Sequence, residues 1–265
     1  MMTKAGCGVL SPSVRCGSKT WKDRSRINTE GNGDDAARRR RLATELYRPE
    51  VARLILIGEA PPPTRFFFYG DSLFLQYLRR AFIGDSQGEG SVGLVPEVGM
   101  HGPDWFLTYF RALGGWRTDV CDAPKRATRG GADEVGDCLE GLLLRWRAQP
   151  RDPDAALVVS PKRLVALLPE AVRREVTASV PPPGQWNAHR QAFLREMSGI
   201  LERHFGREPL RRVAASVDLD EAVLDFEIAR ACAEGADETE IRRLLRGHPR
   251  EAALLRAWTA GEDSG

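Results

Sequence analysis

Apolar and polar positions along the chain follow two alternating periods from Val51 onward. Arg53–Ile57 is an almost unbroken run of apolar, partly β-branched residues closed by Gly58, which predicts a buried strand. Ser72–Phe82 places Leu73, Phe74, Tyr77, Leu78, Ala81 and Phe82 on one helical face. Asp104–Leu113 repeats that stripe with Trp105, Phe106, Tyr109, Phe110 and Leu113, then stops at Gly114 and Gly115. Further strands are predicted over Trp116–Cys121, Ala155–Val159 and Glu175–Val180. Helices are predicted through Leu139, Leu142, Leu143 and Trp146, over Arg163–Leu168, and over Asn187–Phe205 with Asn187 as N-cap. Residues 84–102 and 124–137 have loop composition. Apolar strands alternating with helices imply an α/β fold: three-layer α/β/α with a central, mainly parallel sheet of about four strands, plus a helical C-terminal extension.

The flanks differ from this middle. Residues 1–37 are polar and Gly-rich and are expected to be a disordered tail. The run Arg38 to Arg41 leads a short helical pattern through Leu42 and Leu46; it suits phosphate contact, a targeting signal or a solvated helix start, and firm order is expected from Val51. Residues 38–206 form the expected α/β domain. Residues 207–265 form the extension, with helices over Asp218–Glu234, Asp237–Arg246 and Pro249–Trp258. Ala231, Gly235, Ile241 and Leu244 loosely match helix-turn-helix spacing, but Arg230 and Glu234 stand where that pattern is apolar. A helical piece packed on the core or on a partner is the better reading.

Charge narrows the picture. The formal net charge of +2 conceals sections of +5 for residues 1–50, +1 for 51–206 and −4 for 207–265. Polyanion binding is therefore not written into net charge and requires a local basic face. No apolar run approaches the ~20 residues of a membrane span, and the start carries no apolar segment of signal-peptide type. The 5 cysteines, Cys7, Cys16, Cys121, Cys138 and Cys232, do not read as a secreted disulfide framework. The expected location is intracellular and soluble, cytoplasmic or nucleoid-associated, with no membrane partner.

In a parallel sheet, ligands bind outside the carboxyl ends of the strands, and two of those loops are unusual. Gly58-Glu59-Ala60-Pro61-Pro62-Pro63 is stiffened by three prolines and runs into Phe66, Phe67, Phe68 and Tyr69. Glu59 stands where a carboxylate either orients a water or caps the next turn, and the aromatics are either a stacking wall or core. Val180-Pro181-Pro182-Pro183-Gly184-Gln185 is stiffened in the same way and precedes a helix start whose free amides would suit a phosphate. His101, in Met100-His101-Gly102-Pro103, is the remaining histidine with a place for acid–base work; ordinary loop packing is its other reading.

Gly58-Glu59-Ala60-Pro61 directly after a Leu/Ile strand resembles the first motif of the uracil-DNA glycosylase superfamily. The stretch from Phe106 to Gly114, followed by Thr118 and Asp119, looks like the helix and second strand of its divergent, poorly characterised branches. Pro181 to Gln185, ahead of Phe193, looks like their second motif, and the resemblance covers roughly residues 50–206 in order. It implies a protein that binds DNA, duplex or single-stranded, flips a damaged or deaminated base and hydrolyses its N-glycosidic bond with no metal or other cofactor. Carried over by position, Glu59 is the water-orienting residue. Gly58 and Ala60 shape the pocket, and Phe67, Phe68 or Tyr69 is the stacking ring. Asp119 is the base reader, and Pro181, Pro182, Pro183, Gly184 and Gln185 press on DNA.

The departures are specific. The second motif's usual His beside a Pro-Ser pair has no counterpart in Val180–Pro183, and His189 lies several residues further on. An ionised Asp119 accepts but does not donate, so it suits bases that present donors, such as a guanine-like edge. The cysteines show no spacing for the iron–sulfur cluster of some branches, and none is expected. The missing His also leaves a second function in play: a nucleobase- or nucleic-acid-binding module of the same fold with weakened catalysis.

Overall fold

The computed structural model describes residues 33–62, 65–84, 94–95, 104–122, 136, 138–184 and 186–260. Its centre is a sheet of four parallel strands: β1 (Ala52–Gly58), β2 (Gly115–Asp119), β3 (Arg151–Val159) and β4 (Val176–Ser179), in the order β2-β1-β3-β4. Strand alternation sorts the core into two clusters, one per face. Leu54 and Leu56 belong to one, Ile55 and Ile57 to the other, and all four are at most 1% exposed. The sheet is therefore the middle layer of an α/β/α sandwich.

The chain passes from β1 to β2 through α2 (Leu73–Ile83) and α3 (Asp104–Ala112), whose stripes pack on the Leu54 face. It then returns through α4 (Leu139–Ala148), whose Leu142 and Trp146 pack on the Ile55 face, and enters β3 on the other side of β1. Reversing direction across the sheet while keeping right-handed crossovers requires opposite faces. The reversal leaves a switch point between the carboxyl ends of β1 and β3, where open α/β sheets form a crevice. A 3-10 turn (Lys162–Leu167) and α5 (Glu170–Arg173) lead to β4, and α6 (Asn187–Phe205) closes the Leu54 face beside α2.

Two expectations about the N-terminal flank are corrected. Order begins well before Val51: α1 (Gly33–Leu46) overlaps the expected tail, and Leu42, Ala43, Leu46 and Tyr47 are fully buried. Its basic run is not simply a solvated start, because Arg38 lies 4.9 Å over the Trp258 ring and donates to Trp258 O at 3.3 Å. The C-terminal helices α7 (Arg207–Ala215), α8 (Leu219–Glu234), α9 (Glu238–Leu245) and α10 (Glu251–Thr259) share one core cluster with the sheet; Ile228, Ile241, Leu245 and Leu254 are all fully buried in it. Asp218 and Asp237 cap α8 and α9, accepting backbone N–H groups of the first turn. Among the described residues no helix is long and apolar enough to cross a membrane.

Candidate functional site

The carboxyl edge of the sheet is built by hydrogen bonds that run on past the strand ends. Val120 N–H donates to Gly58 O at 2.9 Å, Cys121 N–H to Glu59 O at 3.0 Å, Ser160 N–H to Ile57 O at 2.9 Å, and Val180 N–H to Val159 O at 3.0 Å. Gly58 pairs with Asp119 on one side and is followed by the Ser160 rung on the other. Asp119, Gly58 and Ser160 thus form a row across three strands, spanning about 10 Å at ~4.8 Å per strand.

Gly58 is required by what crowds it. A Cβ there would lie 2.0 Å from Asp119 Oδ1 and 2.5 Å from Arg117 Nη2. Those two groups form an ion pair at 2.6 Å, with side chains 10% and 9% exposed. The Arg117 guanidinium lies 4.3 Å over Phe74 and 5.1 Å over Phe67. Among the described residues Nη2 is its only bonded nitrogen: Nε and Nη1 are buried with no hydrogen-bond partner there, and so is Ser160 Oγ. Orphaned donors of this kind are rare in an interior, because each forfeits about 1–3 kcal/mol of hydration.

Glu59 follows Gly58 with its side chain 24% exposed, and its Oε2 accepts from Arg163 Nη2 at 2.6 Å, just beyond β3. The second proline loop ends the neighbouring strand on the same edge. Its Gly184 O accepts from Arg190 Nε at 2.9 Å, and Lys162 pairs with Glu196 of α6 at 3.0 Å. Pro181 and Gly184 are half-buried, Pro182 exposed and Pro183 buried. Trp186 follows them, 74% exposed.

The expected site residues divide into two groups. Gly58, Glu59 and Asp119 come together, with Ala60 partly buried against the Ile55-face cluster. The aromatic wall is corrected. Phe67 and Phe68 are each 3% exposed: Phe68 stacks on Tyr47 at 6.1 Å, and Phe67 packs edge-on to Phe110 at 5.9 Å. Their faces are spent on core packing. Tyr69 is half-buried against Phe66, and burial pushes its hydroxyl pKa far above the ordinary value. His101 and Gln185 lie outside the described residues. His189 is exposed on α6. Asn187 is not the N-cap of that helix; Trp186 holds that position and makes no side-chain cap bond.

Sequence reasoning passed over Arg117, Ser160 and Arg145. A strand arginine two residues before Asp119 shares its face by period two, and that was the available signal for Arg117. Arg145 of α4 clamps the end of β2, donating to Thr118 Oγ1 at 3.1 Å, Asp119 O at 2.7 Å and Val120 O at 3.1 Å, and pairing with Asp122. Burial raises the Asp122 pKa against the opposing pull of Arg145. Cys121 lies just past β2 rather than within a strand, and it is disulfide-bonded to Cys138, 17 residues on. Cys232 is a buried free thiol, its pKa pushed up to about 12 by desolvation.

Among the described residues one group of metal-type ligands converges, Glu221, Asp225 and His248, within 4.8 Å. It is already satisfied without a metal. His248 Nδ1 accepts from Arg250 N–H at 2.9 Å, which puts the proton on Nε2 facing Asp225 Oδ1 at 2.9 Å. Thr108 donates to Asp225 Oδ2 at 3.0 Å, and Arg111 pairs with both acids at 2.8 and 3.1 Å. This is a lock between α3 and the C-terminal helices. Beside it, at the amino edge of the sheet, lies an open cavity of about 400 Å³ that none of the expected site residues lines.

No family model, no curated protein and no solved structure gives a significant match to this chain.

Proposed function

We propose that the carboxyl edge of the sheet binds a nucleobase flipped out of DNA and that Glu59 orients the water that hydrolyses its N-glycosidic bond. The observation that carries the reading is Glu59, partly exposed at the end of β1, next in the chain to Gly58, whose missing side chain makes room for the buried pair of Arg117 and Asp119. In the proposed step, the water oxygen bonds to the sugar's anomeric carbon. The carbon–nitrogen bond breaks with its electron pair leaving on the base, and the water proton passes to Glu59. Arg117, a fixed cation in a low-dielectric site, offsets the charge on the departing base, a task that the absent second-motif histidine leaves open. Trp186, exposed beside the second proline loop, supplies an aromatic face for stacking against unpaired bases.

One observation favours the second reading, a binding module of the same fold. Glu59 is held in an ion pair by Arg163, and a paired carboxylate is a poorer proton acceptor than a free one. Release of free base from duplex and single-stranded oligonucleotides carrying uracil, hypoxanthine or xanthine decides between them. Turnover that Glu59→Gln abolishes supports hydrolysis; affinity without turnover supports the module.

A further inference from the structure

Resting on the reading that the partner is DNA, but not on hydrolysis of a base, we infer that the outer seam between α2 and α6 is a track for the phosphates of single-stranded DNA, carried by Arg80, Arg190 and Arg195 with Trp186 at its head. A net charge of +2 does not announce such a track. A local basic face does, and this seam has one.

The two helices lie side by side. Phe74 meets Phe193 edge-on at 5.2 Å, and Ser198 Oγ donates to Ala81 O at 2.9 Å. The ring of Tyr77 on α2 takes a guanidinium from each helix, Arg80 at 5.2 Å and Arg190 at 5.6 Å from its centroid. Arg190 is held in place, because its Nε also donates to Gly184 O at 2.9 Å. Arg195 is exposed one turn before Ser198 and so shares the side of α6 that faces α2. Trp186, 74% exposed, holds the N-cap position of α6, about 14 Å from Arg195 at 1.5 Å per residue.

Uncompensated charge sets the seam apart. α2 contains no acidic residue. The two acids of α6 pair with cations of other elements, Glu196 with Lys162 at 3.0 Å and Glu202 with Arg207 at 2.7 Å. Among the described residues no carboxylate pairs with Arg80, Arg190 or Arg195. Arginines on α9 differ: Arg242 pairs with Glu238 at 2.7 Å and Arg243 with Glu240 at 2.8 Å. Two guanidinium groups over one ring repel each other, and a phosphate between them relieves that repulsion while accepting from both. An exposed indole beside a line of cations takes unpaired bases by stacking and their backbone by charge, whatever the base sequence.

The test measures binding of the full chain to a labelled, lesion-free oligothymidylate by fluorescence anisotropy at several salt concentrations. The double variant Arg80→Gln, Arg195→Gln removes two charges from the seam. The double variant Arg242→Gln, Arg243→Gln removes the same charge from α9 and is the control; thermal midpoints verify that both fold. Wild-type affinity should fall steeply with salt. The seam variant should lose roughly tenfold or more at low salt, and its slope of log affinity against log salt should shrink by about 1.4, at about 0.7 per phosphate contact. Arg190→Gln alone should shrink it by about 0.7, and the α9 variant should match the wild type. No binding of the oligothymidylate by the wild-type protein, an unchanged slope in the folded seam variant, or an equal loss in the α9 variant would overturn the inference. Binding to phosphatidylserine vesicles in place of the oligonucleotide would overturn it too. Because the strand carries no lesion, the outcome is separate from base release. A protein that holds the strand through the seam and releases no base keeps this inference and loses the hydrolytic reading; one that releases bases while its seam variant binds as tightly as the wild type does the reverse.

Discussion

Asp119 occupies the space a side chain at position 58 would need: a Cβ on Gly58 would lie 2.0 Å from its Oδ1. Substituting Gly58→Ala therefore forces the buried ion pair of Arg117 and Asp119 apart. Overpacking of this kind costs about 1–3 kcal/mol, and more when a buried charge loses its partner. A urea titration should show that loss of stability, together with loss of any oligonucleotide affinity. Unchanged stability would mean the pair moves aside freely.

Asp225 is fully buried and receives three neighbours, Thr108, Arg111 and His248. Removing it in Asp225→Ala strands the His248 N–H and the Thr108 hydroxyl while Arg111 keeps Glu221, and a loss of at least about 1–3 kcal/mol, the cost of an unsatisfied buried polar group, is expected. Asp225→Asn keeps the shape and should lose less. Equilibrium unfolding of the two variants, side by side, checks the ordering.

Asp71 gives a pH signature. Its pKa is raised above its ordinary 3.8, chiefly by burial, and partly restrained by the hydrogen bond it accepts from Phe66 N–H. The folded protein keeps a proton that the unfolded chain has already released, so stability is full below pH 3.8 and falls as pH rises toward the folded value. Asp71→Asn retains the acceptor and has no charge to bury. Its stability relative to the wild type should therefore rise across that window, read from urea midpoints at several pH values.

Reduction should loosen the β2 end of the site. The Cys121–Cys138 bond closes a separation of 17 residues, for which loop entropy gives about 3 kcal/mol. Thermal unfolding with and without a dithiol reductant should differ accordingly, while a Cys121→Ser, Cys138→Ser double variant should show no such difference.

Trp186 is 74% exposed and carries little of the fold. Trp186→Ala should leave the thermal midpoint unchanged and weaken single-stranded DNA binding by roughly 1–3 kcal/mol, the stacking contribution of one base. Undiminished affinity would remove this residue from the proposed interface.

The amino-acid pattern by itself determined the four strands and the helices between them, because each follows from local periodicity. Parallel strands place their carboxyl ends at one edge regardless of packing detail. Periodicity does not say which of two apolar surfaces an aromatic run will meet. Only the tertiary structure decided that Phe67 and Phe68 go inward, where Tyr47 and Phe110 receive them. The same holds for α8 to α10: their stripes announce helices, yet their union with the sheet in one core depends on contacts with α1 and α3 far away in the chain. Arg117 marks the limit most sharply. Its charge would normally suggest a solvated position, and its burial follows from the space left by Gly58, the rings of Phe67 and Phe74, and the carboxylate of Asp119, which meet only in three dimensions.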